Sequence, residues 1–283
     1  MKNNTLRLKR HETFSIREGW LEKVINIFSE DKNCFSKDRG QQCLGIGTNM
    51  VKSLRYWSEA CHLIKFDQFR GNEFTEFGQF LYKNDRYLSN MTSWWLIHMY
   101  LVTDFNNSPV FNVFFNMNTS KFEKEQLFNQ IMMFFDDKYE VGAESSLEAD
   151  INVLIKSYYS DDYSNPENNM NCPLSKLGLL SAIDRRTYCK NQPKFSSLDY
   201  RVVFFAMQES WKDNNKNKTI NSFNLEDMYD WDNNPVKIFN LTKSSMYMYL
   251  DEMKKNGLIK LIKTAGLNTI TIEKIYSLEE LFN

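Results

Sequence analysis

The sequence has almost no net charge, with 35 Lys and Arg against 36 Asp and Glu. Such a balance exerts no global pull on polyanions, so any nucleic-acid surface must come from local clustering. Long apolar runs are missing too. The longest, Trp94–Val102, contains His98 and falls well short of a membrane span. Met1–Arg10 is polar and basic with no apolar stretch behind it, which speaks against a secretory signal. The cysteines Cys34, Cys43, Cys61, Cys172 and Cys189 are odd in number, scattered and never spaced C-x-x-C. They predict reduced, mostly buried thiols in a soluble cytoplasmic protein. Absent as well are G-x-x-x-x-G-K, H-E-x-x-H and G-x-S-x-G. With them go the phosphate-cradling loop, the helical zinc site and the nucleophile elbow. The chain reads as a non-enzyme, with no cofactor and no metal expected.

Hydrophobic residues make up 42% and aromatics 15%, enough for large cores without disulfides. At 283 residues the chain exceeds the length at which one core usually stops growing. The expected fold class is mainly α with small β-hairpins (α+β). Its domains are a winged helix-turn-helix-like segment over 1–83, a helical, aromatic-rich middle over 84–217, and a C-terminal winged helix-like segment over 218–283.

In the first segment Trp20, Leu21, Val24, Ile25 and Phe28 form a helical stripe within Glu18–Ser29. Gly45-Ile46-Gly47 can make a tight turn, and Thr48 is a candidate N-cap for a helix to about Cys61. Val51, Leu54, Trp57 and Cys61 mark its apolar face; Asn49, Lys52, Ser53, Tyr56 and Glu59 are read as lying largely opposite. Short strands are expected at His62–Lys65 and Glu73-Phe74, then a helix over Glu76–Tyr82 capped by Thr75. The order returns near the end: a weak helix over Asp230–Phe239 interrupted by Pro235, a turn at Leu241-Thr242, and a strong helix over Lys243–Asn256 closed by Gly257. Two strands, Leu258–Ile262 and Thr269–Ile275, follow. In the middle, Phe122, Leu127, Phe128, Ile131 and Phe135 mark one helix. Ser145 and Glu148 fit a capping box ahead of Leu147–Tyr159, and 213–221 reads as a linker.

A helix anchored by one apolar face can present the other to the major groove, while a wing places cations on phosphate. In the first segment the groups for this are Asn49, Lys52, Ser53, Arg55 and Tyr56, with Arg70 on the wing. In the second they are Lys243, Ser244, Ser245, Tyr247 and Met248, with Lys260 and Lys263 on the ribbon. Lys2, Arg7, Lys9 and Arg10 form a basic arm. The competing reading is that winged helices also serve purely as protein-docking surfaces. His11, Glu12, Arg17 and Glu18 form the densest charged constellation: imidazole, carboxylate and guanidinium together suit acid–base work, or lock a chain segment to a helix through ion pairs. His62 and His98 read as core histidines. Cys172 reads as a buried thiol, and Trp94, Trp95, Tyr100 and Phe105 as core or a partner interface.

The strings His11-Glu12-Thr13-Phe14, Arg17-Glu18-Gly19-Trp20-Leu21-Glu22-Lys23, and Leu44-Gly45-Ile46-Gly47-Thr48-Asn49-Met50-Val51 with Arg55-Tyr56-Trp57 resemble those of an uncharacterised bacterial family, DUF4007. Asp85-Arg86-Tyr87-Leu88, Trp94–His98 and Cys172–Leu179 are similar to its further blocks. The family carries a basic residue where Thr48 stands here, which weakens that helix start's grip on phosphate. Family members look to be encoded beside sulfurtransferase-like proteins, a setting of DNA phosphorothioate modification or phage defence. The resemblance implies a DNA-binding accessory protein of such a system, with duplex DNA and a sulfurtransferase-like or other defence-complex subunit as partners. A non-catalytic docking adaptor is the alternative, and an enzyme subunit with a site near His11 the second.

Overall fold

The computed structural model describes residues 5–67, 69–136, 138–160, 171–215, 221–264 and 267–282. The fold is mixed α+β, mainly helical with small antiparallel sheets. The chain divides into two compact units, residues 1–114 with 119–191, and residues 115–118 with 192–283. Among the described residues no helix is long and apolar enough to cross a membrane.

The first unit opens with α1 (Trp20–Glu30), whose five striped residues are all buried, as their spacing predicts. Helix α2 (Gly40–Leu44) ends at Gly45, where φ is +63°, a conformation glycine adopts without strain. Helix α3 (Thr48–Ala60) then begins one residue earlier than expected. Gly47, not Thr48, is its N-cap, and the Thr48 hydroxyl instead accepts from the Gln41 amide at 2.5 Å. Strands β1 (Ile64–Asp67) and β2 (Gly71–Phe74) pair antiparallel, Ile64 opposite Phe74. Thr75 caps α4 (Glu76–Asn84), accepting from the Gly78 N–H at 2.9 Å.

Helix α5 (Met91–Thr103) buries side chains all round, Trp94 through Met99 with Leu101 and Val102, and forms a core helix of this unit. After it come α6 (Pro109–Asn116), β3 (Lys121–Glu123), α7 (Lys124–Asp136), α8 (Glu144–Tyr158), β4 (Leu180–Ala182) and β5 (Thr187–Lys190). The three strands form one sheet, in the order β3-β5-β4, within a stretch read as mainly helical. Strands of three or four residues are too short for an alternation to register. Phe122 accordingly lies on β3 and not in the helix with Leu127 and Ile131. Helix α8 starts ahead of the expected capping box: Ala143 is its N-cap, with no side-chain cap bond, and Ser145 sits inside the first turn.

The second unit holds α9 (Tyr200–Asn214), β6 (Ser222–Asn224), α10 (Leu225–Asp230), α11 (Pro235–Ile238), α12 (Lys243–Lys255), β7 (Ile259–Thr264) and β8 (Leu267–Ile272). Pro235 does not interrupt a helix but opens one. It is the first residue of α11, where a missing N–H costs nothing, and Asn234 caps that turn. Thr242 and Ser245 make a reciprocal capping box on α12, and Met246, Tyr249, Leu250 and Met253 are buried as expected. Strand β6, too short to be read beforehand, adds to the expected hairpin in the order β6-β8-β7. The hairpin tip at 265–266 and linker residues 216–220 lie outside the described residues, while Asp213 and Asn214 belong to α9.

Gly78 shows how tightly α4 seats against the chain at Leu63, just ahead of β1. A Cβ there would lie 2.0 Å from the Leu63 carbonyl oxygen, a backbone atom that cannot yield. Gly78→Ala is expected to destabilise the protein by about 3 kcal/mol in urea unfolding. A midpoint unchanged from wild type would show that α4 is free to shift.

Candidate nucleic-acid interface

On α3 the expected outward-facing residues separate into two groups. Asn49, Lys52 and Arg55 are exposed. Ser53 and Tyr56 are buried, against expectation. The cause is that α3 is covered on more than one side. It packs on α1 and α2, and the segment before α1 closes over Tyr56, with the Arg10 guanidinium 5.2 Å above its ring and His11 edge-on at 5.9 Å. The Lys52 ammonium is 3.7 Å from Glu12 across an exposed gap, a separation worth little in water. The Arg55 guanidinium lies 4.2 Å over the Phe66 ring, which joins the helix face to β1. Beyond Phe66 the hairpin presents Arg70, exposed, in a turn where one Asp67 carboxylate oxygen accepts the Phe69 and Arg70 N–H groups at 2.8 and 2.9 Å. Those two bonds hold the Asp67 carboxyl below its usual range.

The basic arm is consumed internally only at Arg10, while the Arg7 and Lys9 side chains are exposed. Lys2 lies outside the described residues. Arg10 binds the Glu59 carboxylate and the Asn107 amide oxygen. The Lys9 backbone N–H donates to Asp150 at 2.9 Å. Arg7 is exposed beside a cleft of about 350 Å³ lined also by Phe105, Asn107 and Tyr139.

The constellation at residues 11–18 does not converge. His11 is fully buried, stacked on Trp57 with its Nε2 on Asp150. Its Nδ1 accepts the Thr13 N–H at 3.1 Å, so Nε2 is the nitrogen that carries hydrogen to the carboxylate. Glu12 faces Lys52, Arg17 lies over the Phe14 and Trp20 rings, and Glu18 pairs with Lys176 at 3.0 Å. Asp150 was not singled out from the sequence. Its signal was a carboxylate on the apolar face of α8, three residues after Leu147 and one before Ile151, both buried.

His98 is a core residue, its Nδ1 2.6 Å from the Tyr158 hydroxyl. His62 is not: it is exposed, with its ring stacked on Tyr100 at 5.0 Å. The five cysteines are free thiols. Burial pushes the Cys172 and Cys34 thiols up to about 12 and raises Cys61 as well. Among the described residues no three His, Cys, Asp or Glu side chains gather as a metal would require.

In the second unit Lys243 and Ser244 are exposed at the start of α12, and Ser245 is buried in the capping box. Lys243 pairs with Glu226 at 2.7 Å, and Lys260 with Glu273 at 2.7 Å. Lys263 sits 5.5 Å over the Tyr247 ring, whose hydroxyl accepts from Asn268 at 3.2 Å. Tyr247 therefore ties the hairpin to α12. Met248 and Ile262 are each about half exposed, at 50% and 54%.

The family described as "Protein of unknown function (DUF4007)" matches residues 8–281. Among curated proteins, none matches significantly. The chain is similar to a magnesium ion-bound crystal structure of a protein called SspB, with TM-score 0.81, 24% identity, and 94% of this chain and 83% of that one covered. A second SspB crystal structure gives TM-score 0.80 and 23% identity over 96% of this chain and 84% of that one. At such identities the likeness establishes the fold.

Two outcomes follow from this geometry. His11→Ala or Asp150→Asn leaves a buried polar group without its partner and should cost about 3 kcal/mol in urea unfolding. Wild-type stability in both variants would remove the structural role. At pH 8 a disulfide reagent such as DTNB should titrate only the half-buried Cys43 and Cys189 of the native protein. Rapid reaction of Cys172 would contradict its burial.

Proposed function

The chain belongs to the DUF4007 family, and from that membership we propose that it is a DNA-binding accessory component of a bacterial DNA-modification system of the phosphorothioation type, or of a phage-defence system. The observation that carries the DNA reading is the continuous exposed stripe of Asn49, Lys52 and Arg55 on α3, extended through Phe66 to the hairpin that bears Arg70. Helix α1, helix α2, a glycine turn, α3 and a two-stranded hairpin follow the order of a winged helix-turn-helix, and this supports a groove-facing role for α3. In the second unit the three-stranded order β6-β8-β7 around α12 supports the same winged-helix reading.

The two units differ in what they offer a partner. On α12 and its hairpin, Lys243 and Lys260 are neutralised by neighbouring glutamates, beside exposed Met248 and Ile262. That surface favours protein docking, with a sulfurtransferase-like or other defence-complex subunit as the partner. DNA on the first unit and protein on the second is the arrangement proposed.

Fluorescence anisotropy of a labelled generic duplex across a salt series tests it. The Lys52→Glu, Arg55→Glu double variant should flatten the log–log salt slope by about one for each lost phosphate contact. A Lys260→Glu, Lys263→Glu variant should leave the slope unchanged. Absence of duplex binding at low salt would sink the DNA reading.

A further inference from the structure

The hairpin β1–β2 carries three phenylalanines, and the structure treats them unequally. Phe66 packs edge-on against Phe35 at 5.5 Å and lies under Arg55; Phe74 packs edge-on against Phe28 at 4.8 Å. These two root the hairpin in the core of the first unit. Phe69, between them, is 97% exposed, the most exposed large apolar side chain among the described residues. An aromatic side chain left in water forgoes a burial that its neighbours on the same hairpin obtain.

Phe69 is also held in place. The Asp67 carboxylate accepts the backbone N–H of Phe69 and of Arg70, and the Asn72 amide donates to the Lys32 carbonyl at 3.1 Å, fastening the returning strand. The result is an apolar ring projecting from an anchored support, with the exposed cation of Arg70 adjacent and Lys65 and Arg55 exposed nearer the base. An apolar side chain beside a cation is what proteins push into a base step of duplex DNA, the ring partly unstacking it while the cation meets phosphate. From this placement we infer that Phe69 is a wedge that enters a base-pair step of bound duplex DNA, with Arg70 on the adjoining phosphate. The inference rests on the DNA reading of the first unit and adds the group that deforms the duplex. Flexible pyrimidine–purine steps such as TA are the preferred sites, because they unstack most readily.

The test uses the full chain and duplexes carrying 2-aminopurine next to a single TA step, with anisotropy and 2-aminopurine fluorescence read on the same samples. Wild-type protein should bind and raise the fluorescence as the step unstacks. Phe69→Ala should abolish the rise and weaken binding roughly tenfold, in line with the loss of one base–aromatic stack, while the salt slope stays that of wild type. Phe69→Leu, still a wedge, should restore part of the rise. Arg70→Ala should instead reduce the salt slope by about one. Because Phe69 touches no core residue, an unchanged melting temperature of Phe69→Ala confirms that folding is not what the variant reports. Binding by wild type with no fluorescence rise, or a Phe69→Ala variant indistinguishable from wild type, overturns the wedge and leaves the DNA reading intact. No duplex binding by wild type overturns both.

Discussion

The architecture of the first unit turns on one buried contact, the His11 imidazole held between Trp57 and Asp150. Three stretches far apart in sequence meet there: the segment ahead of α1, helix α3 and helix α8. An imidazole and a carboxylate taken out of water are stabilising only as a satisfied set. That set is complete. Asp150 accepts from His11 and from the Lys9 backbone, and His11 accepts from Thr13. The backbone is bent to achieve it, with Lys9, Glu12 and Thr13 at φ of 59°, 50° and 70°, each costing on the order of 1 kcal/mol for a non-glycine residue. The Trp57 indole adds a bond to the Phe14 carbonyl at 3.0 Å. The inward side of α3 is thereby fixed, and so is the direction in which Asn49, Lys52 and Arg55 point.

This also explains how much was legible in advance. Long amphipathic stretches were: the buried stripes of α1 and α12 appear residue for residue, and so does the Thr75 cap of α4. What escaped depends on distant chain. Ser53 and Tyr56 follow polar positions by spacing, yet they are buried because other segments cover a second side of α3. The His11 constellation was visible as a cluster, but its partner Asp150 lies 139 residues away, and Glu12, Arg17 and Glu18 disperse to separate neighbours. Thr48 lost its capping place because Gly47 takes it, while the Thr48 hydroxyl engages Gln41. His62 looked like a core residue from its apolar neighbours, but its φ of 59° turns the chain outward there.

Each unit contains a run of helices followed by a hairpin, and the two runs differ in how they handle charge. In the first, one cation of the N-terminal arm is drawn inward, Arg10 being spent on Glu59 and Asn107, while Arg7 and Lys9 stay exposed. The cations of α3 and its hairpin remain in solvent, Lys52 weakly engaged and Arg55 stacked on a ring that leaves it charged. In the second, glutamates on α10 and just after β8 cancel Lys243 and Lys260 at close range. A helix-and-hairpin scaffold thus carries a cationic face in one unit and a partly neutralised, partly apolar face in the other. Side chains, and not the scaffold, decide what each face can bind.

The three cations Lys52, Arg55 and Arg70 set the strength of any DNA contact made through α3 and its hairpin. With about three phosphates neutralised, affinity falls only about 40-fold between 50 and 200 mM salt, well short of binders that make six to ten such contacts. Non-specific affinity from that term alone is weak. In the proposed role, a protein so equipped would gain its hold on DNA from contacts that salt does not screen, or from a partner that supplies a second attachment and raises the effective concentration. The first unit has one such uncharged group in Phe69, and the second has the neutralised face through which a partner can act. Near-neutral overall charge, which exerts no global pull on polyanions, is therefore compatible with the proposed DNA component working only within an assembly.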